Sequence, residues 1–327
     1  MAFANSAISD IIATTIQSRS KSIADNVTKN NALLARLNQR GNVKTFSGGS
    51  TIFQELSFAE NGNAGFYSGY DLLPISAQDV ISASEWSIKQ LACPVVISGL
   101  EQLQNSGKEA MIDLLEARIN VAEATMANRL AQSIYSDGTG SGGKEIVGLN
   151  AIVASTNTSG TVGGIDRATW TFWQNKKYDF SDNSLTPPFT AAQFQNGLNT
   201  LWASLTRGSD RPDFVVLDTT YWSNYTTSLQ AQQRFTDPSV GNLGFPSLKF
   251  MDADVVLDGG IGGFCPANTG FMLNTKYLFM RPHKDRNMVS LSPNKRYATN
   301  QDAETTILAW AGAMTCSGAQ FQGRIQN

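Results

Sequence analysis

Apolar positions change period several times along the chain, and each change predicts a different element. Residues 1–45 are polar and rich in Asn, Ser and Lys, with Ile8, Ile11, Ile12 and Ile16 at helical spacing. Ile23, Val27, Leu33, Leu34 and Leu37 follow more loosely. One narrow stripe on helices with little else to bury predicts an arm that packs on a neighbour rather than forming a core, ending at Arg40-Gly41. From Thr45 to about Val80 the period falls to two, with Ile52, Gln54, Leu56 and Phe58 opposed to Phe53, Glu55 and Ser57. A turn-rich Asn61–Gly65 and the aromatics Phe66, Tyr67 and Tyr70 follow, so strand, turn and strand predict a long β-hairpin. A lone two-stranded hairpin is marginal in water. Its apolar residues must therefore lie on something else, from this chain or another.

Residues 86–100 predict a further strand, interrupted by Pro94. From about Gly107 to Tyr135, Met111, Leu115, Ile119, Ala122, Met126, Leu130 and Ile134 recur at spacings of three and four with no internal Pro or Gly. This is a helix of ~40 Å at 1.5 Å per residue, a spine on which a sheet can lie. It stops at Gly138. Residues 138–189 are loop-rich, with Trp170 and Trp173 among them. Thr190 and Gln193 then form a capping box ahead of Phe194, Leu198, Leu201, Trp202 and Leu205. The runs 212–218, 248–260 and 270–280 predict strands and 219–235 a helix, together an α/β module inserted after the spine. The apolar tail, 304–325, is expected to pair with the strand near 86–100.

Composition narrows the classes. Of 327 residues, 41% are hydrophobic and 16% charged, with a net charge of −2. A long disordered chain would combine low hydrophobicity with high net charge. No stretch approaches the roughly 18 apolar residues of a membrane-spanning helix, and there is no global basic footprint for gripping nucleic acid. Cys93, Cys265 and Cys316 are far apart and odd in number, with no CxxC or HxxxH pair, which signals neither zinc nor a disulfide framework and fits a reducing compartment. The N-terminal MAFANSAISD has no basic start and is interrupted by Asp10, unlike a secretory signal.

Candidate chemistry is thin. Gly138–Lys144 satisfies GxGxxG and nearly satisfies a P-loop, but it leaves a helix rather than a strand, and Glu145 stands where a magnesium-binding hydroxyl belongs. A connector between helix and module is the better reading. Residues 255–264 resemble a dinucleotide loop only until Cys265, with no helix pattern beyond. His283, the single histidine, lies in a charged loop with no GxSxG serine to serve. Asp252, Asp254 and Asp258 lack calcium-loop spacing. The basic groups at Lys176/Lys177, Arg281–Arg286 and Lys295/Arg296 are short and partly neutralised, as on a solvated face.

The order of parts carries more than any motif: arm, long hairpin, strand, spine helix, inserted α/β module, and C-terminal strands returning to the first sheet. It resembles the major capsid proteins of tailed double-stranded DNA phages, the Hong Kong 97-like α+β fold. The phrases LEARINVAEATMANRLAQSIYSDGTGSGGKEIVGL (115–149), RPDFVVLDTTYWSNY (211–225), FMLNTKYL (271–278) and NQDAETTILAWAGAMTCS (300–317) are similar to capsid proteins of short-tailed phages. The resemblance implies an N-terminal arm over 1–45, an E-loop hairpin over 46–85, a peripheral domain over 86–137 and 275–327 with its spine helix at about 107–136, and an axial domain over 138–274. It implies no catalysis, cofactor or metal. The implied activity is self-assembly into the pentamers and hexamers of an icosahedral shell that encloses the double-stranded genome without reading its sequence. Assembly is expected in the host cytoplasm, away from membranes, with a scaffolding protein, a portal and, in some members, a cement protein as partners.

On this reading Ile12, Ile16, Phe53, Phe58, Phe66, Tyr67 and Tyr70 are expected at subunit contacts, and Met111, Leu115, Ile119, Met126 and Leu130 in the spine-helix core. Some members join subunits through a lysine on the hairpin. No lysine lies between Lys44 and Lys89, so a non-covalent shell is expected. The chain starts almost at the arm, which favours a separate scaffolding protein over a fused one. The alternatives are an encapsulin-type compartment on the same fold and, from another class, a nucleotide-using enzyme built on Gly138–Lys144.

Overall fold

The structure, a computed structural model, describes residues 31–100, 108–229, 247–260, 263–291, 296–297 and 303–327; the side chains of 108–117, 247, 296–297 and 303–304 and all residues outside these ranges are not part of that description. Two sheets organise the chain. The first is built on one long strand, Ala303–Cys316. Strand Lys89–Ser98 runs antiparallel along one edge of it, from Ser98 opposite Ala303 to Lys89 opposite Gly312. Leu278–Pro282 pairs along the other edge, from Leu278 opposite Cys316 to Pro282 opposite Gly312. The tail therefore pairs where its pattern predicted. Pro94 lies opposite Ile307, and Lys89–Ser98 pairs only with the long strand among the described residues, so the proline occupies an edge where its missing N–H costs no ladder bond.

The second sheet has six strands in the order Lys176–Asp179, Gly323–Gln326, Thr269–Leu273, Phe214–Leu217, Ala253–Leu257, Ser247–Phe250. Its central strands are buried on both faces, which is why they read as continuous apolar runs. Val215, Leu217, Val255 and Met272 point into a core with Phe194, Leu198, Leu201, Tyr221 and Tyr225 from helices Ala191–Leu205 and Thr219–Leu229. Phe214, Val216, Val256, Phe271 and Leu273 point the other way, into a core shared with the spine helix and residues 32–37. The capping box is formed: Gln193 N donates to Thr190 Oγ1 (3.3 Å) and Thr190 N to Gln193 Oε1 (2.9 Å).

Several elements differ from their sequence patterns. The run 248–260 is two antiparallel strands turning at Met251, and 270–280 is two strands in different sheets, separated by a short 3-10 turn at Thr275–Tyr277. Apolar runs alone do not mark such turns. The last strand, Gly323–Gln326, leaves the first sheet and joins the module's sheet, parallel to Lys176–Asp179. The predicted helix 219–235 is described over Thr219–Leu229.

The spine helix, Lys108–Ile134, has 27 residues. Ile119, Ala122, Met126, Leu130 and Ile134 on its stripe are buried; Met111 and Leu115 lie outside the described side chains. Its exit is tight: a Cβ on Gly148 would lie 2.3 Å from the carbonyl oxygen of Ile134, at the helix end.

The arm reading is corrected from residue 31 onward. Helix Ala32–Gln39 buries Ala32, Leu33, Leu34, Ala35 and Leu37 within this chain's own core. The sequence stripe was the face of an ordinary core helix, because the surface it covers comes from strands far away in sequence. Asn31 caps that helix through Leu33 N and Leu34 N, and Gly41, at φ 69°, turns the chain out of it. Arg36 reaches Asp213 and Asp254, both at 3.4 Å, and Arg40 reaches Asp213 at 2.9 Å. Ile12 and Ile16 lie outside the described residues.

Asp258 joins three elements at one carboxylate. Its Oδ2 accepts from the Tyr135 hydroxyl at the end of the spine and from Asn31 Nδ2 (3.2 Å), and its Oδ1 accepts from Phe264 N (3.3 Å). Burial pushes this carboxyl above its ordinary 3.8, against the opposing pull of those hydrogen bonds. A carboxyl raised in the folded state favours folding while protonated, and that contribution fades as pH rises through the raised value. Asp258→Asn stays neutral throughout. Thermal melts from pH 3 to 7.5, a range that starts below the ordinary 3.8, should therefore show the variant gaining on the unaltered chain as pH rises; a pH-independent difference would refute the assignment.

Candidate assembly surface

Between the two sheets' neighbourhoods a finger leaves the body. Its stem is the antiparallel pair Thr51–Ser57 and Ile81–Ser87, with Thr51 opposite Ser87 and Ser57 opposite Ile81. The period-two pattern sets its faces: Ile52 and Leu56 are buried, while Phe53, Glu55 and Ser57 are exposed. Trp86, 2% exposed, is the stem's anchor. Its Nε1 donates to Ser84 Oγ (2.9 Å), and that hydroxyl donates to the Cys316 carbonyl at the end of the long strand (3.1 Å). Arg281 Nη2 donates to Gln54 Oε1 (2.7 Å) and Glu85 N to the Gly163 carbonyl (2.8 Å), so both stem strands are tied to the body.

Contact with the body ends near Phe58. Phe58 packs against Trp170 and Phe172, with ring centroids at 5.7 and 5.5 Å. It was expected at a subunit contact; within the chain the half-buried ring already has partners in the loop carrying Trp170 and Phe172, whose position the sequence does not reveal. Beyond Phe58 N to Val80 O (3.1 Å), residues 59–80 form no strand. The return strand begins at Ile81, so the aromatic run belongs to the loop rather than to the returning strand predicted for it. Asn63 and Ser76 clasp the two legs through Asn63 Nδ2 to Ser76 O (2.5 Å) and Ser76 Oγ to Asn63 Oδ1 (3.0 Å). A turn closes the tip, with Ser68 N donating to Asp71 Oδ2 (2.7 Å) and Asp71 N to Ser68 O (2.9 Å).

The finger is apolar and uncovered. Phe66, Tyr70, Leu72 and Ile75 are 93–112% exposed, and Tyr67, Leu73, Ile81 and Phe53 are 56–72% exposed. Scattered exposed apolar residues need no explanation, but a contiguous set on one projection marks an interaction site. Phe53, Phe66, Tyr67 and Tyr70 were singled out by sequence. Leu72, Leu73, Ile75 and Ile81 were missed, although Pro74 among them already argues against burial in a sheet.

The other motifs are structural here. Around Gly138–Lys144 the chain makes a short turn with positive φ at Ser141 and Gly142, Glu145 accepts from Ser136 Oγ (2.8 Å), and Lys89 Nζ donates to the Gly143 carbonyl (2.6 Å). A carboxylate faces the loop where a phosphate would need amides. Asp254 is matched by Arg36 and Lys249, Asp252 by Arg211, and His283 packs edge-on against Phe46. Among the described residues no group of three His, Cys, Asp or Glu side chains is placed to hold a metal, and no described helix is long and apolar enough to cross a membrane.

The two aromatic sites predict opposite costs. In dispersed subunits Phe58→Ala should cost about 1–3 kcal/mol, below the full-burial range because the ring is half-buried, and Phe66→Ala within about 0.5 kcal/mol of zero. Denaturant titration measures both; equal costs would mean that the finger is covered by its own chain.

No family model and no curated protein matches this chain. Solved structures do. The capsid asymmetric unit of cyanophage A-1(L) superposes with a TM-score of 0.59 at 15% identity, over 87% of this chain and 90% of that one. The capsid of a native GTA particle gives 0.58 at 14% identity, over 88% of each chain. A structure from Mycobacterium phage Bobi gives 0.55 at 11% identity, over 88% of this chain and 89% of that one. With coverage this wide on both sides, the likeness is to the whole architecture, and the chain has the α+β Hong Kong 97-like capsid fold.

Proposed function

We propose that this chain is the major capsid protein of a tailed double-stranded DNA phage, assembling into the hexamers and pentamers of an icosahedral shell. The observation that carries this is the finger: a rigid stem on a capsid fold holds a row of large apolar side chains in water, and nothing among the described residues covers them. The finger and residues 1–30 are the parts assigned to neighbouring subunits. The long-strand sheet with the spine helix corresponds to the peripheral domain and the six-stranded sheet to the axial domain.

Magnitudes fit weak contacts that sum. Burying Phe66, Tyr67, Tyr70, Leu72, Leu73 and Ile75 at ~1.5–3 kcal/mol each gives on the order of 10 kcal/mol per finger as an upper bound. Association costs an estimated 4–15 kcal/mol, so one finger alone holds a neighbour marginally, while closed rings of them hold firmly. A net charge of −2 suits a container, since strong attraction for phosphate would fix the genome to the wall. Nothing in this role requires catalysis.

Leu72→Asp/Ile75→Asp tests the reading. Sedimentation and negative-stain microscopy of the chain, alone and with a scaffold, should show rings, sheets or shells. The double variant should remain as small species with an unchanged melting temperature. Small species under every condition from the unaltered chain, or shells from the variant, would overturn the proposal.

A further inference from the structure

Asn-Gly occurs twice in the chain, at Asn61–Gly62 in the finger and at Asn196–Gly197 in helix Ala191–Leu205. Such a pair is reactive where the backbone nitrogen after the asparagine can reach the side-chain Cγ, because glycine carries no Cβ to obstruct the approach. The fold treats the two pairs in opposite ways. Asn61 and Gly62 are both exposed, and Gly62 N donates to no acceptor among the described residues. Asn61 Oδ1 accepts from Asn63 N (3.0 Å), while the Asn61 carbonyl accepts from Ala64 N (3.1 Å) and closes the turn. The first of these bonds puts a donor on the oxygen that gains negative charge when Cγ is attacked, the role of an oxyanion-hole N–H. At the other pair, Gly197 is buried, and a Cβ there would lie 2.9 Å from Tyr178 Cε1. Its N–H belongs to the helical ladder. That nitrogen has neither the freedom nor the room to turn back on Asn196.

We propose that Asn61 is a site of self-modification, converting to aspartate and isoaspartate without an enzyme. Gly62 N gives its proton to water or hydroxide and bonds to Asn61 Cγ. The Cγ–Nδ2 bond then breaks, and ammonia leaves with a proton taken back from solvent. Water opens the resulting five-membered imide at either carbonyl. Opening at Cγ gives aspartate, and opening at the main-chain carbonyl gives isoaspartate; nothing is oxidised or reduced. Either product adds a carboxylate to a finger that, over 45–88, already holds Glu55, Glu60, Asp71, Asp79 and Glu85 and no Lys, Arg or His. Isoaspartate also lengthens the main chain by one carbon beside Asn63, whose side chain clasps Ser76. The finger therefore ages in place, in charge and in shape, while the helix keeps its asparagine. Because Gly62 must first lose a proton, the rate climbs about tenfold per pH unit above neutrality.

Dispersed full-length chain, aged at neutral and mildly alkaline pH, provides the test. Trypsin frees the finger as one peptide, 45–89, because no Lys or Arg lies between Lys44 and Lys89, and Asn196 falls in 178–207. Mass spectrometry reads the gain of about 1 Da as NH2 gives way to OH, and isoaspartyl methyltransferase labels the isoaspartate product. In the folded chain position 61 should convert at least about tenfold faster than position 196, which must wait for its helix to open. Unfolding in guanidinium chloride should bring the two rates within about threefold of each other, chiefly by speeding position 196. Gly62→Ala should slow position 61 about tenfold and leave position 196 unchanged. Its new methyl meets only the Gln78 side chain, at 3.4 Å, so the melting temperature should hold. Equal rates at the two positions of the folded chain would overturn the proposal. So would a position 61 that stays intact in the folded chain while the unfolded chain reacts, or a Gly62→Ala variant that converts as fast as the unaltered one. None of these outcomes bears on the capsid reading.

Discussion

Everything that projects from this molecule depends on the ladder between Ala303–Cys316 and its two neighbours. That strand pairs with Lys89–Ser98 over ten residues on one side and with Leu278–Pro282 on the other. The spine helix lies against the resulting sheet, and the Cys316 carbonyl accepts the Ser84 hydroxyl that in turn takes the Trp86 indole. Without the ladder the stem has nothing to lean on, and a two-stranded hairpin by itself does not persist in water. With it, the stem becomes a rigid lever. The apolar tip stays exposed because its root is fixed, not because the tip is soluble.

The same logic separates stiff from compliant parts. The six-stranded sheet is packed on both faces, and Arg36, Arg40, Asp213 and Asp254 fasten helix Ala32–Gln39 to it. Close-packed cores of that kind do not deform continuously. Residues 59–80, held by a clasp at Asn63–Ser76 and a turn at Ser68–Asp71, bury almost nothing and have little to lose by bending. A single sequence that must meet neighbours at slightly different angles needs this division: a body that keeps its shape and a finger that adapts.

Much of this was legible in the residues. The period of two over 51–57 placed Ile52 and Leu56 inward, the three-four spacing placed Ile119, Met126 and Leu130 on one stripe, and Thr190 with Gln193 marked a helix start to the residue. What failed depended on partners distant in sequence. Leu33, Leu34 and Leu37 read as an arm because their cover comes from segments far away in sequence, and the partners of Phe58 within the chain, Trp170 and Phe172, were hidden because they lie more than a hundred residues away. Asp258 stood out in sequence only as one of three carboxylates without calcium-loop spacing, since a buried carboxylate shared by Tyr135, Asn31 and Phe264 exists only once three separate segments meet. Exposure at Leu72, Leu73 and Ile75 is likewise a property of the fold: the same residues on a covered strand would look no different in sequence.

The measurement that bears most directly on the account is amide hydrogen exchange over residues 59–80, compared between dispersed subunits and assembled particles. In subunits these amides have few internal hydrogen bonds and should exchange at once. In particles, Phe66 to Ile75 should become protected. Equal, fast exchange of the finger in both states would mean that shells form without it, and would contradict the central claim.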